Sequence, residues 1–446
     1  MSGRLSRRAA LLTSGLALSG CGGGGSSWFG ESEDAPLPGA RKSVLLLDED
    51  VRADPEIAAT PITLPRPRRN AEWPQAGGIA THAMYHLEAA DTLRPAWTAD
   101  IGAGAGRRSR LLATPVAAPG IVFTIDSEDR VSAFSTSDGR EAWQIRAQER
   151  GSGDRLGSGG LAYDNGRLFV TGGSGDVLAL DPGSGAEIWR SAVKAPVRAA
   201  PTIAEGRVLV LAADNQLFAL DAGTGAVQWR HAGVFEQAGI LGGASPAATS
   251  GLVVAAYSSG EVFGLELASG RPLWSDTVLR PRRTLAINTI SDIIGDPVID
   301  RDIVVVAGIS GEMVALDMSR GERIWSTNVT STQMPWVAGE VVYLLTERNE
   351  LVCLLRNTGR IRWVSPLGQL ADPEDADSER VRWVGPILVT DRLLVASSRR
   401  DIMTVSPYTG EIIGKARLDG PVSLPPIVAD GAVYLLTDGG DLIAYR

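Results

Sequence analysis

Cysteine, histidine and paired carboxylates are the side chains of this 446-residue chain that could do chemistry, and their spacing decides which of them can. Cys21 closes the run Leu18-Ser19-Gly20-Cys21, which resembles a bacterial lipobox. In that context the thiol accepts a diacylglyceryl group, and the small residues before it let a peptidase cut between Gly20 and Cys21. Arg4, Arg7 and Arg8 precede it as a basic region. The apolar stretch from Ala9 to Leu18 is too short to hold a bilayer by itself. Residues 1–20 therefore read as a lipoprotein signal peptide, with Cys21 as the lipidation site. Ser6-Arg7-Arg8 leaves twin-arginine export open beside the general route. Gly22 follows the cysteine, where an aspartate would favour inner-membrane retention in enteric bacteria, so the expected location is the periplasmic face of the outer membrane.

The other candidates lack partners. With Cys21 acylated, Cys353 has no second cysteine, so no intramolecular disulfide forms. His82 and His86 have no third ligand nearby in sequence; they read as polar loop histidines, and no metal site is expected. His231 sits beside Arg230 without a serine and an acid around it, and no Gly-x-Ser-x-Gly occurs. Glu128-Asp129 and Glu374-Asp375 read as solvated turn and loop carboxylates. The net charge is −9, and removal of three arginines with the signal peptide makes the mature chain more acidic. Polyanions are held by clustered Lys and Arg, so nucleic acid is not an expected partner. No catalytic and no cofactor-binding residue is predicted.

Residues 21–70 begin Gly22-Gly23-Gly24-Gly25-Ser26-Ser27 and continue rich in proline and charge. Such a segment buries little apolar area and reads as a flexible tether, with a root-mean-square reach of roughly 40 Å for fifty residues. Val44-Leu45-Leu46-Leu47 is apolar enough to be a docking segment within it.

From 71 to 446 the chain repeats itself with a period of about 45 residues. The mark is Gly-x-x-x-Trp: Gly139/Trp143, Gly185/Trp189, Gly225/Trp229, Gly270/Trp274, Gly321/Trp325 and Gly359/Trp363, with Gly410/Gly414 as an altered copy. Before each glycine lies a pair of short alternating runs, as in Leu168–Thr171 and Val177–Asp181. Runs of this length broken by Gly, Asp and Asn predict antiparallel strands. The aspartate accepts turn N–H groups, the glycine supplies a positive φ, and the tryptophan packs between neighbouring sheets. Openings near Pro115, Ala162, Pro201, Pro246, Pro297, Pro335, Pro386 and Pro426 count eight units. The last unit lacks a fourth strand, and Pro95-Ala96-Trp97-Thr98-Ala99 supplies one from the other end. The expected fold is all-β: an eight-bladed β-propeller of four antiparallel strands per blade, closed by an N-terminal strand completing the last blade. Cys353 falls where other units carry Ala133, Ala179, Ala219 and Ala315, and so reads as a small buried hydrophobe.

These repeats resemble the PQQ-type propeller repeat, with its Ala-Leu-Asp-x-x-x-Gly-x-x-x-Trp core, over about residues 95 to 446. That repeat is shared by quinoprotein alcohol dehydrogenases and by the BamB family of outer-membrane assembly lipoproteins. The lipobox, the Asn70-x-x-Trp73 segment, the eight repeats and the length resemble the BamB family. The quinoprotein clamp of adjacent cysteines is missing, so the enzyme is the weaker likeness; a propeller binding a polysaccharide or another periplasmic ligand is the other alternative. The BamB resemblance implies a non-catalytic scaffold of the outer-membrane β-barrel assembly (BAM) complex, monomeric within it. It implies BamA as partner, bound through a periplasmic POTRA domain, and attachment to the outer membrane through the lipid anchor. It also points to two loops. Ala238 to Pro246 aligns with a partner-binding run, with Leu241 where arginine is expected; Ser291-Asp292-Ile293-Ile294 aligns with an acidic run, with Ile294 replacing its second aspartate. The strand-four connections Trp229–Pro246, Trp274–Pro297 and Trp363–Pro386 are long, and together with the strand-two connections they should share one working face. The expected partner-binding residues are Ile240, Leu241, Arg282, Arg283 and Asp292.

Overall fold

Each run of alternating residues pairs with the run that follows it, and the pairings make eight separate four-stranded antiparallel sheets. The structure is a computed structural model that describes residues 51–106, 109–147, 159–234, 243–278, 293–309, 311–372, 374–375 and 377–446. Among these the regular structure is all strand. The leading strands of blades 1 to 8 are Val116–Ala118, Gly160–Asp164, Thr202–Ala204, Ala247–Thr249, Val298–Asp300, Trp336–Ala338, Trp383–Val389 and Ile427–Ala429. They fall at the eight predicted openings. Pro95–Asp100 pairs antiparallel with Asp441–Tyr445, so the first strand completes blade 8 and closes the ring.

The Gly-x-x-x-Trp motif works across blades. Each tryptophan lies opposite a small residue of its own sheet: Ala133 faces Trp143, Ala219 faces Trp229, Cys353 faces Trp363. Its indole then reaches the next blade and donates to a turn carbonyl there, as Trp143 to Pro182, Trp189 to Ala222 and Trp229 to Leu267. The motif glycine of that next blade lies beneath the ring. A Cβ on Gly225 would come within 2.5 Å of Trp189. Trp97 does the same across the closure, donating to Thr136 and covering Gly139. Gly414 in place of a tryptophan now has a reason. Blade 8 joins its last two strands from opposite chain ends, so it offers blade 7 no turn to receive an indole.

Among the described residues, contacts with the blades begin ahead of the first strand. Asp54 N–H donates to Ile361 O (2.8 Å), and Arg360 pairs with Asp54 (2.7 Å) and Glu56 (2.6 Å) along the outer strand of blade 6. The chain then runs around the axis as a girdle that meets the leading strand of every blade in turn. Asn70 bonds Val428 and Asp430 in blade 8. Trp73 exchanges both backbone hydrogen bonds with Ala117 in blade 1, at 2.8 Å each. Pro74 O accepts from Tyr163 in blade 2, and the Gln75 amide holds Ile203 in blade 3. Ala80 O, Thr81 O and Tyr85 O accept from Ala248, Ile299 and the Trp336 indole in blades 4, 5 and 6. Leu87 pairs with Leu388 and Thr390 in blade 7. The axis-facing edges of the leading strands are thus capped from within.

His82 and His86, read from sequence as polar loop residues, are both buried in this girdle. His86 Nε2 accepts the Asp391 N–H (3.0 Å), so its Nδ1 carries the hydrogen and donates to Pro65 O (2.7 Å). This ring fastens the girdle to blade 7.

Candidate functional site

The two loops singled out by sequence emerge on either side of one hairpin of blade 4. The outer strand of blade 3, Val227–Ala232, ends at Gly233 and Val234. Val234 N–H donates to Glu261 (2.7 Å), and Val234 O accepts from Asn215 (2.7 Å). The outer strand of blade 4, Pro272–Thr277, leads to Val278, whose N–H donates to Gly260 O (2.8 Å). Tyr257, Gly260 and Glu261 belong to the strand-two to strand-three turn of blade 4, so that turn holds the start of both loops. The loop ends are also joined: Ser245 N–H donates to Asp296 at 2.6 Å, linking the entry to blade 4 with the entry to blade 5. Burial raises the Asp296 carboxyl above its ordinary value. The predicted sharing of one face by these connections is what the contacts give.

Ile240, Leu241, Arg282, Arg283 and Asp292 lie outside the described residues, as does Cys21. The long connection read from sequence between Trp274 and Pro297 is shorter than it looked. Ser275–Thr277 belong to the blade 4 sheet, and Val278 and Ile293 are buried in the core between blades 4 and 5. Paired strand residues and buried aliphatics are scaffold, so the loop proper is shorter at both ends. Ile294 is part-buried and lines an axial cup described below.

The remaining chemical candidates are occupied structurally. His231 Nδ1 is 2.7 Å from the Tyr257 hydroxyl and its ring packs on Phe263, with burial lowering its pKa. Cys353 is fully buried, and burial pushes its thiol far above the ordinary range, away from the reactive thiolate. Glu128 faces Arg146 at 3.6 Å, and Glu374 and Asp375 are exposed, but Asp129, read from sequence as solvated, is buried in its turn. Among the described residues no group of three His, Cys, Asp or Glu could hold a metal ion.

Sequence reasoning missed the axial cup. It holds about 730 Å³ and opens on the loop face, since Gly243, Ser245, Ile294 and Asp296 at the loop ends line it. Trp73 and Gly77 of the girdle and Trp336 line it from the axis. Arg110, Arg198, Arg380 and Arg382 stand around it. A signal was present: each of these arginines falls a few residues ahead of an opening strand. No one-blade motif flags it, because the cup exists only when eight blades converge.

Comparison with known proteins bears on this geometry. The chain matches the protein family described as outer membrane protein assembly factor BamB over residues 127–365 and 375–446. It is 30% identical over 358 residues to the outer membrane protein assembly factor BamB of Xanthomonas campestris pv. campestris, covering 78% of this chain and 85% of that one. The crystal structure of BamB from Moraxella catarrhalis superposes with a TM-score of 0.67 at 20% identity, over 80% of this chain and all (100%) of that one. The quinohemoprotein alcohol dehydrogenase of Comamonas testosteroni gives 0.61 at 15% identity, over 88% and 82%. At these identities the two solved structures speak for the fold alone.

Proposed function

Because the chain belongs to the outer membrane protein assembly factor BamB family, we propose that it is a non-catalytic subunit of the outer-membrane β-barrel assembly complex. It docks on BamA through a periplasmic POTRA domain and so aids insertion of outer-membrane proteins. Cys21 carries the lipid that holds it on the periplasmic face of the outer membrane. An acyl pair plus an N-linked chain suffices for stable attachment, whereas one chain is marginal. The contact is made by Ile240 and Leu241, which bury area against the partner, and by Arg282, Arg283 and Asp292, which orient it as rim charges do.

The observation that carries this reading is the support of both loops by the single Tyr257–Glu261 turn of blade 4. A hairpin that anchors Val234 and Val278 brings the starts of both loops to one place, which suits a single partner surface contacted by both. The test uses the purified mature chain and a periplasmic POTRA fragment. Residues 235–242 and 279–292 are replaced by short Gly-Ser linkers, leaving Val278 and Ile293 in place. Binding should be lost by at least tenfold with the unfolding temperature unchanged. Binding retained by the loop-replaced chain would remove the assignment of these loops.

A further inference from the structure

The two loops assigned to docking return to the ring at one place. Residues 243–246 lead the first into blade 4, and residues 293–297 lead the second into blade 5. Ala244 and Ile293 are buried in one apolar cluster between those blades. Ser245 N–H donates to the Asp296 carboxylate at 2.6 Å, which joins the two returning segments directly. The Thr202 hydroxyl of blade 3 donates to Pro246 O at 2.6 Å beside this link.

The girdle fastens the joint from the axis. Ala80 O and Thr81 O accept from Ala248 and Ile299, in the leading strands that follow the two loops. His82 is the next girdle residue. Its Nδ1 is 2.7 Å from Pro297 O and donates to it, since a carbonyl can only accept. The ring is buried against Gly77, where a Cβ would come within 2.8 Å of it. Its Nε2 is sealed from solvent and has no hydrogen-bond partner among the described residues. His82 stands close enough to act electrostatically on the Asp296 carboxyl.

The repeat itself does not ask for an acid at this position. The residues that precede the other openings are uncharged, as Ala200, Ser245, Met334 and Pro425 are, and Asp296 is the exception. Burial raises its carboxyl above the ordinary value. A carboxyl raised on folding holds its proton more tightly in the folded chain. Its ionised form therefore lowers stability at neutral pH, and the loss is recovered as pH falls through the folded value. A neutral residue would serve the ring better, yet the carboxylate stands where the returns of both loops meet.

We propose that Asp296 is a positioning residue for docking: by accepting from Ser245 N–H, on a segment that His82 ties to the girdle, it fixes the returning ends of both loops at one spacing. The inference rests on docking through those loops and adds what holds their far ends. The Tyr257–Glu261 turn sets where the loops start, and Asp296 sets where they finish. A partner then meets loop ends that are already brought together.

Two measurements on the mature chain test it: hydrogen exchange without a partner, and binding of the periplasmic POTRA fragment. Asp296→Ala should speed exchange of the Ser245 amide at least tenfold and weaken POTRA binding at least tenfold, with the unfolding temperature little changed. Asp296→Asn keeps an acceptor for Ser245 without the charge. It should retain slow exchange and binding within threefold of the unaltered chain, and unfold at the same temperature or higher. His82→Ala removes the donor to Pro297 O and should weaken binding in the same direction. His82→Asn keeps a donor there and tolerates the φ of +61° at this position, so it should restore binding. Unaltered binding or unaltered Ser245 exchange in Asp296→Ala overturns the proposal. Equal weakening by Asp296→Ala and Asp296→Asn also overturns it, because the effect would then belong to the charge and not to the joint. If Asp296→Ala does not fold, the His82 pair decides by the same two readouts. If the unaltered chain fails to bind the POTRA fragment, the docking reading falls, and Ser245 exchange still decides whether Asp296 holds the loop returns.

Discussion

At the scale of single residues, the repeat is a set of interlocks between neighbouring blades. Gly225 has φ +73° and lies under Trp189, so its substitution meets both backbone strain and a clash. Gly206 has φ +72° with nothing within 4 Å of a built Cβ. Gly225→Ala should therefore cost about 2–4 kcal/mol and Gly206→Ala about 1–2, a difference that denaturant titration resolves. The aspartates that close the strands are read the same way. The Thr224 hydroxyl, then its N–H, holds the Asp221 carboxyl below its ordinary value of 3.8. A carboxyl lowered on folding stabilises above its ordinary value, and that contribution is lost as pH falls through the folded one. Asp221→Asn should lower the unfolding temperature at pH 7 and flatten its fall below pH 4; an unchanged acid slope would contradict the turn assignment. The glycine–tryptophan spacing and the alanine-like place of Cys353 were legible in the sequence. That each indole serves the next blade was not, because the motif records a strand and the contact lies between sheets. The burial of His82 and His86 was hidden for the same reason: a segment that takes a single hydrogen-bonded step per blade has no strand alternation to read.

Elements show what the sequence marked only by Asn70-x-x-Trp73. The girdle from Asn70 to Leu87 touches all eight blades, and Trp73 sits at its first turn inside the ring. A chain beginning at Val51 keeps these contacts and should unfold at the temperature of the mature chain. One beginning at Thr92 keeps the closing strand Pro95–Asp100 but loses the girdle, exposing eight leading-strand edges. It should be destabilised by several kcal/mol, with Trp73→Ala in the mature chain costing about 3–5. Equal stability of the two truncated chains would show the girdle to be an ornament on a self-sufficient ring. Between blades 5 and 6, Arg356 is buried against Asp300 at 2.5 Å, where Tyr85 of the girdle also donates to Asp300 at 2.8 Å. Arg356→Ala leaves a buried carboxylate with less support and should cost about 3–5 kcal/mol in denaturant unfolding.

For the whole molecule, the ring is a scaffold that many chemistries share, which is why the fold was the most legible part of the sequence. Eight openings, one missing strand and a spare one at the other end determine the topology without reference to function. The face proposed for docking was suggested in the sequence by unequal loop lengths alone, and the anchoring of Val234 and Val278 by the Tyr257–Glu261 turn needed the structure. The cup needed it more, since its arginines come from blades far apart in sequence. Membership of a working assembly complex is tested most directly by affinity purification from chemically crosslinked cell envelopes. The intact chain should recover BamA, and the chain with Ile240→Asp and Leu241→Asp should recover at least tenfold less at equal abundance. Recovery of polysaccharide-processing enzymes, or of no component of the assembly machinery, would contradict the account.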